Sequence, residues 1–252
     1  MDSIAWPSEQ ALVDNLGDFL LNRQSEKPGR KVKIFREFDP GAGRVDILCV
    51  WYNENRLATR QAKTPAAASV PFDLLAGYAM AFLKRCRWVN ISYVQAALRL
   101  STAKTERLIS VLSERGLAEI HGQKIKACSN QDTWFIEDIE AYEAKLYKWK
   151  VAIHQALQHE WFASKSFVVM PEPSWQIRSS LVEQCSEWNI GVLFYQDHQR
   201  QYLGVVPPKR RTPMTHIGWY LNERIFEEEY LSAKLRSNLT GSCYSLSYPT
   251  NP

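Results

Sequence analysis

The chain has no run of about 20 uncharged apolar residues, the length a helix needs to cross a bilayer, so no membrane-spanning helix is expected. Its start, MDSIAWPSEQ, has no basic stretch followed by an apolar core, so no secretory signal is expected. Cysteine is sparse and scattered: Cys49, Cys86, Cys128, Cys185 and Cys243, an odd number with no CxxC pair and no Cys/His grouping. That spacing argues against structural zinc, and Cys49 and Cys185 read as core thiols of a cytoplasmic protein. Repeats and low-complexity tracts are absent. Neither sign of charge dominates, since the net charge is +4. The 252 residues, 45% of them hydrophobic, suit one or two globular domains with a sizeable core.

The informative residues begin at Ile139. Glu143-Ala144-Lys145 lies in a short strand-like run, and residues two apart on a strand share a face, so a carboxylate and an ammonium stand side by side. Helical spacing of Trp149, Ala152, Ile153, Ala156, Leu157 and Trp161 predicts an amphipathic helix over Lys148 to Trp161. Ser166 to Pro171 then reads as a buried strand with a proline stop. Upstream, Arg36 to Val50 reads as a strand, a turn at Gly41-Ala42-Gly43, and a second strand whose apolar run is broken by Asp46. A lone carboxylate inside an apolar strand is costly unless it is paired or binds a cation.

Asp46, Glu143-x-Lys145, the helix with Gln155 and the closing strand, in that order, resemble the PD-(D/E)XK nuclease superfamily. That group includes restriction endonucleases, Holliday-junction resolvases and the end-cleaving subunit of heteromeric transposases. Val45 stands where the family name has proline, and Asp46 and Glu143 are far further apart than an ordinary strand connection. The resemblance implies an α/β fold, a restriction-endonuclease-like mixed sheet flanked by helices, and hydrolysis of a DNA phosphodiester. It implies Mg²⁺ (or Mn²⁺) held by Asp46, Glu143 and the carbonyl of Ala144. Lys145 would orient water or stabilise the transition state, and Gln155 would face the active site. Many relatives add a glutamate from the first helix. Glu9 matches that position and Glu37, just before the glycine turn, is its rival.

Each assignment has a plainer counterpart. Glu9 suits the first turn of any helix through the helix dipole. Gln155 also reads as an exposed helix residue, and Glu143 with Lys145 as a surface ion pair on an edge strand. Gln61-Ala62-Lys63 competes for the second half of the motif at ordinary spacing. Glu143 is preferred because the required helix and strand follow it.

Residues 66–130 fill the gap and read as a separate unit. Helices are predicted over Phe72 to Lys84, Val89 to Leu98 and Thr102 to Arg115, the last capped by Ser101 and ended by Gly116. A hairpin follows over Leu117 to Lys126. The order resembles a winged helix-turn-helix. Nine Lys and Arg against four acids give this stretch an excess of +5 and leave −1 for the rest. Such an excess suits phosphate contact. Thr102, Lys104, Thr105 and Arg107 are the candidate groove contacts, and Lys124 and Lys126 the candidate wing contacts. A winged helix also serves as a protein-interaction module. The expected linkers are Thr64 to Pro71 and Ser129 to Thr133, around a small core of the unit's own.

Elsewhere, helices are predicted over Glu9 to Asn22, Trp175 to Trp188 and Ile217 to Leu231, and strands over Ile190 to Tyr195 and Tyr202 to Val206. Lys209-Arg210-Arg211 is a basic loop, and the last twenty residues read as loosely ordered. The expected organisation is a nuclease core in two parts, 1–65 and 131–252, with a C-terminal extension and the insert 66–130 between the parts. DNA is the expected partner. A homodimer or a partner subunit is compatible with the sequence, and a membrane is not expected. The second function class is a non-cleaving DNA-binding regulator or recruiting subunit on the same fold.

Overall fold

The computed structural model describes residues 6–23, 28–41, 43–64, 71–196, 199–212 and 214–241, with side chains as far as 233. The Ser8 hydroxyl accepts a hydrogen bond from Ala11 N–H and starts α1 (Glu9–Asn22), which buries Leu12, Val13, Leu16 and Leu20. β1 (Arg30–Phe38) and β2 (Val45–Asn53) form an antiparallel pair. Asn53 then caps α2 (Glu54–Lys63), a helix that apolar spacing does not predict. Next come α3 (Leu74–Leu83), β3 (Val89–Asn90), α4 (Ile91–Ala97), α5 (Thr102–Glu114), β4 (Ala118–His121) and β5 (Lys124–Ala127). The chain returns through α6 (Asn130–Thr133) to β6 (Ile136–Ala144), α7 (Trp149–Gln158), β7 (Lys165–Pro171), α8 (Trp175–Trp188), β8 (Gly191–Gln196), β9 (Gln201–Val206) and α9 (His216–Gly241).

The main sheet is mixed, with strand order β1-β2-β6-β7-β8-β9. β6, β7 and β8 run parallel, and the pairings on either side are antiparallel. Alternation along the strands sorts the core into two faces. Ile47, Cys49, Trp51, Tyr142, Ala144, Phe167 and Val169 pack under α1. Leu48, Val50, Ile139 and Ala141 turn the other way and pack under α9, while Val168, Met170, Val192 and Phe194 pack under α7 and α8. Cys49 and Cys185 are buried free thiols, as expected, and Cys243 lies outside the described residues. Among the described residues no helix is long and apolar enough to cross a membrane.

Residues 66–130 hold the helices and hairpin expected of them, and β3, β5 and β4 form a three-stranded sheet of their own. Residues 65–70 of the first expected linker lie outside the described residues, as do Ala42 of the glycine turn and the end of the chain from 242. The expected small core is instead a shared one. Met80, Leu83, Val94, Leu108, Val111, Leu112 and Ile125 belong to one cluster with Trp219, Ile225 and Phe226 of α9 and with Val50 of β2. The cause is the composition of α3, LLAGYAMAFL, which has no polar face and requires cover on several sides. α9 supplies one of them. At Gly77 a Cβ would come 2.5 Å from the His216 carbonyl oxygen, so only glycine permits this approach.

A buried ionic knot fastens the insert to the sheet domain. Arg60 of α2 donates to both Glu223 oxygens at 2.6 and 2.7 Å, and to Thr133 O at 3.1 Å. Arg115, just beyond α5, places Nη1 3.6 Å from Glu223 and pairs through Nη2 with Glu227. Arg60, Arg115 and Glu223 are at most 3% exposed. Removing one member of such a group strands buried charge, at a cost of about 3–5 kcal/mol. Glu223→Ala is therefore expected to lower the unfolding free energy by that amount in urea denaturation. Glu227→Ala, at the exposed rim, is expected to cost at most ~1 kcal/mol.

Candidate active site

β2 and β6 are neighbours, so the long separation of Asp46 and Glu143 in sequence closes in one step across the sheet. Ile47 pairs with Tyr142, and the next residue outward on each strand is Asp46 and Glu143. Alternation turns both away from α1. Lys145 leaves β6 with its N–H on Val169 O at 3.0 Å. Its ammonium folds back among the acids: Nζ is 2.7 Å from Glu143 Oε1, 3.3 Å from Asp46 Oδ2 and 3.7 Å from Glu9 Oε2. It also donates to the Ala144 carbonyl at 3.2 Å. Asp46 Oδ2 accepts from Ala144 N–H at 2.8 Å.

Glu143 is fully buried on a central strand, so it is not an edge-strand surface ion pair. Gln61 and Lys63 lie on α2, where Lys63 pairs with Asp132 at 2.7 Å, and a helix cannot supply the strand position the motif requires. Of the two rival glutamates, Glu9 reaches the cluster. Glu37 does not: it sits at a left-handed backbone position (φ 50°) and its carboxylate pairs with Arg44 at 3.1 Å. Gln155 is on α7 with a buried Oε1 that has no hydrogen-bond partner, and no contact ties that oxygen to the acids. His159, which no sequence motif singles out, does touch the cluster, with Nε2 3.3 Å from Glu143 Oε2. It stands four residues after Gln155 and three after the buried Ala156, so the stripe of α7 carried the signal.

The insert's candidate contacts divide. Lys104, Arg107, Thr102 and Lys124 are exposed. Lys104 and Arg107 line a cleft of about 210 Å³ shared with Asp73 and Leu75. Lys126 is half-buried with Nζ 5.6 Å from the Trp88 ring. Thr105 is a correction: it is buried beside Leu108 and its hydroxyl donates to Ser101 O at 3.0 Å, inside the helix's own core stripe.

Three carboxylates surround one ammonium, so negative charge is in excess. Burial pushes the Asp46 carboxyl up to about 6, and the charge of Glu143 adds to the effect, while Ala144 N–H and Lys145 offset part of it. Burial also works against the Lys145 ammonium, but Glu143, Asp46 and Glu9 outweigh it and hold its pKa above the ordinary lysine value. Among the described residues no three His, Cys, Asp or Glu side chains form a ready metal cage. Glu143 Oε1, Asp46 Oδ2 and Ala144 O nevertheless converge on the Lys145 ammonium, at 2.7, 3.3 and 3.2 Å. Glu143 Oε1 has no well-aligned hydrogen bond. Hard oxygens of this kind fit a cation that completes its shell with water, as Mg²⁺ does.

No family model, no curated protein and no solved structure matches the chain.

The Asp46 shift fixes the sign of a pH effect. Its folded pKa of about 6 lies above the ordinary 3.8, so between those values the folded state binds more protons than the unfolded one. Its contribution to stability therefore falls as pH rises through that window, by about 2–3 kcal/mol in total. Asp46→Asn mimics the protonated form. Without added metal it is expected to be more stable than the parent at pH 7.5 and equal to it near pH 4, as measured by urea unfolding at both pH values.

Proposed function

We propose that this chain is a metal-dependent DNA endonuclease of the PD-(D/E)XK kind, directed by residues 66–130 acting as a winged-helix DNA-binding unit. The observation that carries the reading is the convergence of Asp46, Glu143 and the Ala144 carbonyl on the one ammonium of a site short of positive charge, oxygens that a metal ion would share. Asp46, Glu143 and Ala144 O would hold the ion, with Glu9 at the rim. Bound there, Mg²⁺ or Mn²⁺ supplies a water of lowered pKa and neutralises charge that grows on the phosphate. Lys145, a point charge that the acids keep protonated, would orient that water or stabilise the pentavalent transition state. Gln155, one turn before His159, would meet the substrate side of the site.

The helix–strand–helix–helix–hairpin order and the exposed Lys104, Arg107 and Lys124 support the DNA-binding half of the reading. The shared core counts against a separable winged-helix unit, so the DNA-binding half rests on that order of elements and on the exposed basic residues alone.

The purified chain is expected to nick supercoiled plasmid in Mg²⁺ or Mn²⁺ and to stop when the metal is chelated. Asp46→Ala and Lys145→Ala are each expected to slow nicking by about 10²-fold or more. Metal-independent cutting would overturn the metal-site reading, and no cutting with DNA binding intact would favour the non-cleaving DNA-binding protein instead.

Replacing Lys124 and Lys126 together by Ala is expected to weaken binding to all sequences. It should flatten the log–log salt dependence by about one unit for each phosphate that is no longer neutralised. Arg107→Ala is expected to change sequence preference instead, because an exposed arginine on the helix that enters the groove would read base edges. Binding isotherms over a salt series distinguish the two. An unchanged slope in the double variant would make the insert a protein-interaction module.

A further inference from the structure

We infer that His159 is a positioning residue for Glu143: a hydrogen-bond donor that holds one carboxylate oxygen so that the other is aimed at the cation position. The inference rests on the metal-site reading above. His159 is 1% exposed and Glu143 fully buried, and Nε2 lies 3.3 Å from Glu143 Oε2. The other ring nitrogen, Nδ1, is buried with no partner. A hydrogen on Nδ1 would have no acceptor, so the hydrogen belongs on Nε2, where Glu143 accepts it.

The geometry divides the two Glu143 oxygens between two tasks. Oε2 faces His159, and Oε1 faces Lys145, where Asp46 Oδ2 and Ala144 O also point. A carboxylate held at one oxygen cannot spin about its last bond, so the other oxygen keeps its aim. The ring itself is anchored. His159 closes α7, its carbonyl accepts from Phe162 and Ala163 N–H at 3.2 and 2.9 Å, and the Phe162 ring lies 5.9 Å from it. Partners that orient metal ligands in this way set metal affinity by about 10–100-fold.

A histidine that merely fills the core would be replaceable by any side chain of similar volume. Two variants separate the roles: His159→Leu keeps bulk and removes the donor, and His159→Gln keeps a donor. MnCl₂ titrations of the full chain, followed by thermal unfolding and by plasmid nicking, give the metal midpoint with and without turnover. His159→Leu is expected to raise both midpoints by about 10-fold or more, with much of the nicking rate recovered at saturating metal. His159→Gln is expected to stay within about threefold of the parent. A folded His159→Leu with the parental midpoint, or His159→Gln no better than His159→Leu, would overturn the assignment. Ring ¹⁵N shifts of the parent give a test that needs no variant: the Nε2–H tautomer is expected, and Nδ1–H would overturn it. If the parent shows no Mn²⁺ response at all, the metal site itself fails and this role fails with it. A parental response that His159→Leu shares removes only the role of His159.

Discussion

The constraint on which the rest of the structure depends is a central strand loaded with carboxylates. β6 reads IEDIEAYEA, and Asp138, Glu140 and Glu143 are all buried. Each must find compensation or forfeit several kcal/mol. At the N-terminal end of the strand the compensation is complete. Asp138 is met by Arg30 at 3.2 Å, Lys165 at 3.1 Å, Arg210 at 3.0 Å and the Ser164 hydroxyl at 3.3 Å. Glu140 takes Trp51 Nε1 and Tyr142 OH on one oxygen and Lys165 on the other. At the C-terminal end Glu143, Asp46 and Glu9 share, among the described residues, the Lys145 ammonium, and His159 Nε2 lies 3.3 Å from Glu143. One strand thus carries a closed electrostatic account at one end and an open one at the other, and the open end is where chemistry is available.

The sheet can place Asp46 against Glu143 only if the excursion of residues 66–130 leaves and returns without disturbing the β2–β6 ladder. Two features secure this. Asn53 N–H bonds to Phe135 O at 2.9 Å, so the chain departs and re-enters at one point. Glu223 then ties Arg60, near the departure, to Arg115, at the end of α5, and to the return segment through Asn222 and Thr133. α9 is therefore less a C-terminal extension than the spar between the two parts. The same features explain why the insert shares its core: an all-apolar α3 and a buried ionic knot have no stable place in a unit that stands alone.

Local signals in the sequence carried much of this. Ser8 and the stripe of α1, the span Trp175–Trp188, the cap at Ser101 and the glycine after α5 depend on neighbours in sequence, where spacing and capping act directly. The grouping of Asp46, Glu143 and Lys145 could be read from the sequence because Asp46 interrupts an apolar run and because Glu143 and Lys145 stand two apart on a strand-like segment. What escaped was set by distant partners. α2 is nearly all polar, with only Leu57 and Arg60 buried, so it lacks an apolar stripe and owes its place to Glu223. Thr105 read as a surface hydroxyl because threonine serves equally well as a core residue bonded to its own helix. Glu37 lost to Glu9 through a backbone twist that composition does not announce. His159 looked like any helix residue until the fold brought Glu143 beneath it.

The open end of β6 also differs from what stability alone would favour. An ion pair selected for stability would match charges one to one, and a neutral residue at position 46 would keep the Ala144 hydrogen bond while removing the repulsion from Glu143. Asp46 instead sits where burial and a like charge push its carboxyl up to about 6, a cost that nothing in the packing requires. Lysine contributes only one positive charge to acids that carry three when ionised. A divalent cation would bring the local sum to about neutral and draw Asp46 back into the ionised state.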